Sequence, residues 1–244
     1  MARRPVPTAA QTRVMSHAWS RPGRHVIGID EVGRGACAGP LVVVGVLAER
    51  EWDHALARDS KKLSHKRHME GYDAFISQGK AGDGIVAVLL AAYEPEEVDV
   101  LGLDAANRDL TLRIAQALYA LQPSPIMLDG DLLPFIEGIP PEDLFNMPSS
   151  DALVASSGAA SVIAKAHRDT EMMENLHPVF PQYGWYFNKG YLTMGHAQAI
   201  QQYGVCPVHR YSYQRIKESL VDSSLWLSRQ KRTVTRAWMR YLRR

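Results

Sequence analysis

His25-Val26-Ile27-Gly28-Ile29-Asp30-Glu31-Val32-Gly33-Arg34-Gly35 carries an apolar strand straight into two adjacent acids and then into an arginine held between glycines. Val26, Ile27 and Ile29 give His25 to Asp30 the composition of a buried strand, and the valine-rich run Leu41 to Ala48 supplies a second. Between them Gly33, Gly35, Gly39 and Pro40 make a turn that suits a hairpin. A strand ending in Asp30-Glu31 sets charge at the edge of a core, where it needs a partner. Gly33-Arg34-Gly35 lets a ligand approach the main chain closely, because glycine adopts backbone conformations closed to other residues. The tripeptide has neither the spacing of a dinucleotide fingerprint nor that of a phosphate-binding P-loop, and a plain β-turn with a solvated arginine is the competing reading.

Downstream, Asp59-Ser60-Lys61-Lys62-Leu63-Ser64 closes a loop, with Ser64 expected as the N-cap of a helix over His65 to Ser77. Ile85 to Ala92 adds a third strand and completes an antiparallel three-stranded unit. Asn107 to Leu121 places Leu110, Ile114, Ala117, Leu118 and Leu121 on one helical face. Pro123 and Pro125 stop that helix, and Ile126-Met127-Leu128 reads as a short buried strand ending at Asp129-Gly130. A strand following a helix predicts a parallel crossover, hence an α/β fold whose mixed central sheet is flanked by helices. The proline-rich stretch from Leu132 to Ser150 reads as a loop with a short strand over Asp143 to Met147. Small residues from Ala159 to Ala166 open a helix that packs closely on a sheet and runs to about Leu176. Met194 to Tyr203 and Ser223 to Leu242 predict two more helices, the last forming a C-terminal extension.

With 244 residues, 46% hydrophobic and 22% charged, the chain can bury one principal core. No apolar run approaches the roughly 18 to 20 residues of a membrane span, so a spanning protein is not expected. Met1 to Arg24 carries five arginines without a continuous apolar stretch and reads as a flexible basic lead-in; a transit peptide or a phosphate-contacting arm are alternatives. Cys37 and Cys206 are too few for a disulfide framework and lack metal-ligand spacing, which fits a reducing cytoplasm. From Asn188 onward eleven Lys or Arg face only Glu218 and Asp222, whereas the rest of the chain is acidic on balance. An acidic body with a basic end suggests cations bound at one place and a polyanion gripped at another; a solvated basic tail is the plainer alternative. The expected organisation is a lead-in over 1–24, a catalytic domain over 25–203 and a basic helical segment over 204–244.

Asp30, Glu31, Asp129 and Asp151 share one setting, the C-terminal edge of an apolar strand or the start of a helix. In α/β sheets such edges converge on a ligand-binding crevice, although an acid taken singly also serves as a turn or cap residue. Four gathered carboxylates repel one another unless a cation neutralises them, and an all-oxygen donor set suits Mg²⁺ or Mn²⁺ rather than zinc. The chemistry that most needs such a set is in-line attack of water on a phosphodiester between two metals roughly 3.5 to 4 Å apart.

At this point the sequence closely resembles the ribonuclease HII family, the type 2 ribonucleases H. The likeness runs from the opening segment through Ala36 and Ala38-Gly39-Pro40 to Asp59 to Ser64, Asp129-Gly130, Asp151, and Ala159 to Lys165 with Arg168-Asp169. It continues at Lys189-Gly190-Tyr191, Thr193, His196 and His209-Arg210-Tyr211-Ser212-Tyr213, covering roughly residues 25 to 216. The resemblance implies a ribonuclease H-like α/β fold with Asp30, Glu31, Asp129 and Asp151 holding two divalent metals. It implies that the Gly33-Arg34-Gly35 backbone recognises a ribose 2′-OH, the group that separates RNA from DNA, and that Tyr191 packs against the next, deoxy sugar. Lys61 would contact phosphate, as would Lys189 less securely, while His209-Arg210 would orient backbone or phosphate or serve structure alone. The implied activity is hydrolysis of the RNA strand of RNA/DNA hybrids and cutting 5′ of single ribonucleotides in duplex DNA, leaving 3′-OH and 5′-phosphate ends. A monomer is expected, with no protein partner specified.

Two departures stand out. The family often has His-Lys-Gly-Tyr-Gly-Thr where this chain has Asn188 and Leu192 at the first and fifth places, and losing that glycine restricts the backbone beside Tyr191. Before Asp151 the family commonly has Lys-Gly, here Ser149-Ser150, so a neighbouring positive charge is missing. These departures motivate an alternative, a hybrid-binding protein of the same fold with weakened catalysis; a nucleotide phosphatase or transferase is a third reading with no use for Tyr191. The basic C-terminal helix would add salt-sensitive phosphate contacts or, through Leu225, Trp226, Trp238 and Tyr241, bind a partner.

Overall fold

The structure, a computed structural model, describes residues 6–58, 63–129 and 135–219. Lys61 and the helix expected over Ser223 to Leu242 lie outside them. Two compact units share the chain alternately: the first takes Met1–Val32, Val42–Ala91 and Arg108–His167, the second Gly33–Leu41, Ala92–Asn107 and Arg168–Arg244. Among the described residues no helix is long and apolar enough to cross a membrane.

In chain order the elements are α1 (Ala9–Ser20), β1 (His25–Val32), β2 (Leu41–Glu49), α2 (His65–Ala81), β3 (Ile85–Tyr93), α3 (Pro95–Leu101), α4 (Leu103–Leu121), β4 (Ile126–Leu128), β5 (Leu144–Asn146), α5 (Ser150–Leu153) and α6 (Ala155–Thr170). A five-stranded sheet in the order β3-β2-β1-β4-β5 organises the first unit. β1 and β2 pair antiparallel from His25↔Glu49 to Val32↔Val42, while β4 runs parallel to β1 and β5 parallel to β4. The amide of Glu49, last in β2, donates to the carbonyl of Gly84 just before β3, so β3 runs back along β2. The expected mixed sheet is therefore present.

β2 is buried along all but its last residue, as an uninterrupted apolar run requires when both faces are covered. Val42, Val44, Val46 and Ala48 pack with Phe75 of α2 and with Ala159, Ala160, Val162 and Ile163 of α6. On the other face a Cβ at Gly45 would lie 2.4 Å from Ile114 and 2.7 Å from Leu118 of α4, so α4 presses where only glycine fits. Ser64 caps α2 through the amide of Arg67, as expected, and the helix continues to Gly82, whose φ of 69° ends it.

Within the stretch expected as a flexible lead-in, Ala9–Ser20 form α1. Thr8 and Gln11 form a reciprocal capping box, and Val14, Met15, Ala18 and Trp19 make an apolar stripe that packs on Val26, Met127, Phe145 and Met147. Ser16 and His17 interrupt that stripe in sequence but not in space, which is why composition alone conceals it.

The second unit contains α7 (Trp185–Asn188), α8 (Met194–Tyr203) and α9 (Gln214–Ser219). Its core joins Cys37, Ala38, Met172, Tyr183, Trp185, Ala199, Ile200, Cys206, Tyr211 and Ile216. Val205, Cys206, Val208, Tyr211, Tyr213 and Ile216 all pack in this core. Both cysteines are buried and neither is in a disulfide, and burial pushes the Cys37 thiol up to about 12, where it is chemically quiet.

Candidate active site

In the first unit the parallel register brings the acids together. Ile29 of β1 pairs with Leu128 of β4, so Asp30 and Asp129 are the next residues on adjacent strands, and Leu128 in turn pairs with Asn146 of β5, which leads into α5 and Asp151. Asp30 and Asp151 are buried. Asp30 is pushed up to about 7, mainly by burial and further by Glu31, Asp129 and Asp151, against the opposing hydrogen bond with Ser161. Four carboxylates from three segments of chain therefore share one electrostatic neighbourhood.

Asp30 and Asp129 are each held by backbone amides. Asp30 Oδ1 accepts the Glu31 amide at 2.8 Å. Asp129 Oδ1 accepts the amides of Ser149 at 2.6 Å and Ser150 at 3.3 Å. Ser149 takes φ 61° and ψ 34°, a left-handed conformation that costs a non-glycine residue roughly 1 kcal/mol. Helix α6 reaches the site because small residues permit close approach: a Cβ on Gly28 would lie 2.1 Å from the Ser157 nitrogen, and one on Gly158 would lie 1.8 Å from the Ala57 oxygen. Ser161 stands one turn beyond Ser157 and so reaches Asp30.

Among the described residues no three His, Cys, Asp or Glu are already drawn into metal-binding geometry. The donor chemistry nevertheless fits a hard divalent cation, since the groups that converge are carboxylates and their repulsion at Asp30 is what a cation relieves.

The second unit builds the glycine-flanked loop on two buried arginines. Arg168 donates to the carbonyls of Pro40, Ala38 and Lys189, each at 2.9 Å. Arg210 donates to Gly39 at 3.1 Å, Gly33 at 2.6 Å and Arg34 at 3.3 Å. Gly33 has φ 87°, and a Cβ there would lie 2.3 Å from Arg168 Nε. The loop's carbonyls thus point inward, while Arg34 and Gly35 remain exposed. Burial pushes Arg168 down and Arg210 down to about 10, the latter also opposed by Arg168. Asp99 offsets some of that charge and fixes the neighbouring chain by accepting from the Tyr211 amide, the Ser212 amide and the Ser212 hydroxyl.

The same arginine reaches Tyr191. Arg168 Cζ lies 5.5 Å from the Tyr191 ring centroid, and a Cβ on Gly35 would meet Tyr191 Cε1 at 3.8 Å. The amides of Cys37 and Ala38 both donate to the Gly190 carbonyl, binding loop to turn. The Tyr191 carbonyl faces His196 Nδ1 at 3.0 Å, so that nitrogen carries the proton. Trp185 Nε1 donates to His196 Nε2, which leaves His209 Nε2 as the second donor there and His209 Nδ1 to accept from the Cys206 amide. Both imidazoles are neutral in this chain of bonds, and burial holds His196 below its ordinary value.

The departure at Asn188 and Leu192 is accommodated. Asn188 builds the turn itself, accepting from the Gly190 amide and donating to the Tyr183 carbonyl. Leu192 has no positive φ and packs against the second core, so glycine is not needed there. Lys61 lies outside the described residues. Sequence reading gave Ser161, Arg168 and Asp99 no role and left Arg210 undecided; a buried arginine bonded to carbonyls has no local signature, and Asp99 sits in an acidic run that reads as a solvated helix.

A mixed sheet with acids at the ends of adjacent strands places the chain among the ribonuclease H-like α/β proteins. Ribonuclease H2 of Pyrococcus horikoshii shares the fold with a TM-score of 0.62 at 22% identity, covering 80% of this chain and 96% of that one. The Bst ribonuclease HIII structure with Mn²⁺ gives 0.60 at 20% identity, covering 88% and 73%. The family profile of ribonuclease HII matches residues 27–216. Ribonuclease HII 1 of Methylibium petroleiphilum is 35% identical over 197 residues, covering 81% of this chain and 93% of the relative. Ribonuclease HII of Chlamydia pneumoniae is 35% identical over 195 residues, covering 79% and 85%. The chain belongs to the ribonuclease HII family and is a ribonuclease H endonuclease, a hydrolase.

Proposed function

We propose that the protein cuts the RNA strand of RNA/DNA hybrids and cleaves 5′ of single ribonucleotides embedded in duplex DNA, leaving 3′-OH and 5′-phosphate ends. The observation that carries this reading is the shared field of Asp30, Glu31, Asp129 and Asp151 at the ends of β1 and β4 and the start of α5. Those four residues would hold Mg²⁺ or Mn²⁺, which when bound supplies water activation and stabilises the leaving oxygen. Mn²⁺ in the Bst ribonuclease HIII structure supports that choice. Asp129, gripped by two backbone amides, and Asp30, oriented by Ser161 and its neighbour's amide, are fixed before substrate arrives.

The loop at Gly33-Arg34-Gly35 reads the ribose 2′-OH with its exposed edge, and Tyr191 packs against the adjoining deoxy sugar, so the pair selects an RNA-to-DNA junction. Support comes from Gly35 facing the Tyr191 ring and from Arg168 tying both segments. Lys61 and the basic C-terminal segment contribute phosphate contacts. Duplex DNA with one ribonucleotide, incubated with Mg²⁺ or Mn²⁺, should be cut on the 5′ side of that ribonucleotide; folded protein that leaves it intact would overturn the proposal.

A further inference from the structure

We infer that α1, which lies outside the family-matched region, is a positioning brace for the acid site, with Gln11 as the residue that transmits it. The helix grips β5 and the turn after it at both ends. At one end Arg21 pairs with Asp143 at 2.7 Å, a carboxylate that also accepts from Tyr119. At the other, Gln11 Nε2 donates to the Pro148 carbonyl at 2.8 Å across 137 residues of sequence. Val14, Met15, Ala18 and Trp19 pack between these points on Phe145, Met147, Leu153 and Val154. Arg50 fastens the far end of the helix through the carbonyls of Trp19 and Arg21.

What the helix holds is the turn that holds Asp129. The Pro148 carbonyl immediately precedes Ser149, whose left-handed backbone aims its amide, with that of Ser150, at Asp129 Oδ1. Asp151 follows two residues later. A serine in that conformation relaxes unless its surroundings fix it, and Gln11 supplies a fixing contact from outside the turn. The catalytic consequence rests on reading the four acids as the metal site; the geometric claim does not.

Gln11 has two jobs that one substitution separates. Its Oε1 accepts the Thr8 amide in the capping box, whereas its Nε2 ties Pro148. Gln11→Glu in the full chain keeps the acceptor and removes the donor. The expected result is a kcat about three- to tenfold lower at saturating Mn²⁺, as loss of one exposed orienting hydrogen bond implies, with KM for hybrid and Tm unchanged. Hydrogen exchange at the Ser149 and Ser150 amides should quicken roughly fivefold or more in metal-free protein, a readout independent of catalysis. Unchanged exchange and kcat would overturn the brace, as would a loss of activity matched by a fall in Tm. An inactive parent protein would defeat the functional reading alone, and the exchange measurement would still decide the brace.

Discussion

Asp30→Asn should move stability and cutting in opposite directions. The carboxyl, raised from 3.8 to about 7, is disfavoured as an anion by burial and by three acidic neighbours. At on the order of 1.4 kcal/mol per unit, neutralising it should stabilise the metal-free protein at pH 8 by roughly 2 to 4 kcal/mol. Cleavage should fall by roughly a hundredfold or more if, as proposed, Asp30 is an oriented anionic ligand of the metal. Urea unfolding in a chelator, beside a hybrid cleavage assay, tests both halves; a destabilised variant would refute the electrostatic account. Arg168→Lys preserves charge but cannot span the carbonyls of Ala38, Pro40 and Lys189. It should lower kcat/KM on a single embedded ribonucleotide roughly tenfold more than on a continuous hybrid if, as proposed, the loop and Tyr191 together read the junction. Equal losses on both substrates would reduce Arg168 to a stability role.

At the scale of elements, the approach of α6 to β1 is set by Gly28, and it is steep. Gly28→Ala should cost about 3 kcal/mol or more, because the added carbon would meet the Ser157 backbone at 2.1 Å and backbone cannot swing aside. A denaturant midpoint within error of the parent would show that the helix has room to retreat. These contacts explain what could be read from sequence. Uninterrupted apolar β2, the Ser64 cap and the small-residue run of α6 each obey a local rule, so strands, helices and the acids at strand ends were legible. Helix α1 was not, because its stripe of Val14, Met15, Ala18 and Trp19 is diluted by polar and basic residues and gains its meaning only from Phe145 and Met147. Likewise Gly33-Arg34-Gly35 announced a tight turn but not the arginines that hold it, which arrive from 135 and 177 residues away in sequence.

For the whole molecule, two titrations pull in opposite senses. Asp30, raised in the fold, contributes stability that is present at low pH and is lost as pH rises through about 7. His196, lowered from 6.5 by burial, contributes stability that is present above 6.5 and is lost as pH falls through its lower folded value. In the Asp30→Asn background the first contribution is gone, so metal-free protein should lose stability steadily from about pH 6.5 downward, and His196→Gln should flatten that slope. A slope unchanged by the second substitution would reject the neutral imidazole chain.

The chain's repeated passage between its units sets an order for its own synthesis. Everything the first unit needs, from α1 to the body of α6, has been translated by His167. Gly33 to Pro40, made early, must wait for Arg168 and then for Arg210 before the carbonyls of Ala38, Pro40 and Gly39 gain their guanidinium donors. On a ribosome the acids can therefore gather while the loop is still unsupported, and a chain truncated before Arg210 would carry a complete sheet and an unfastened loop.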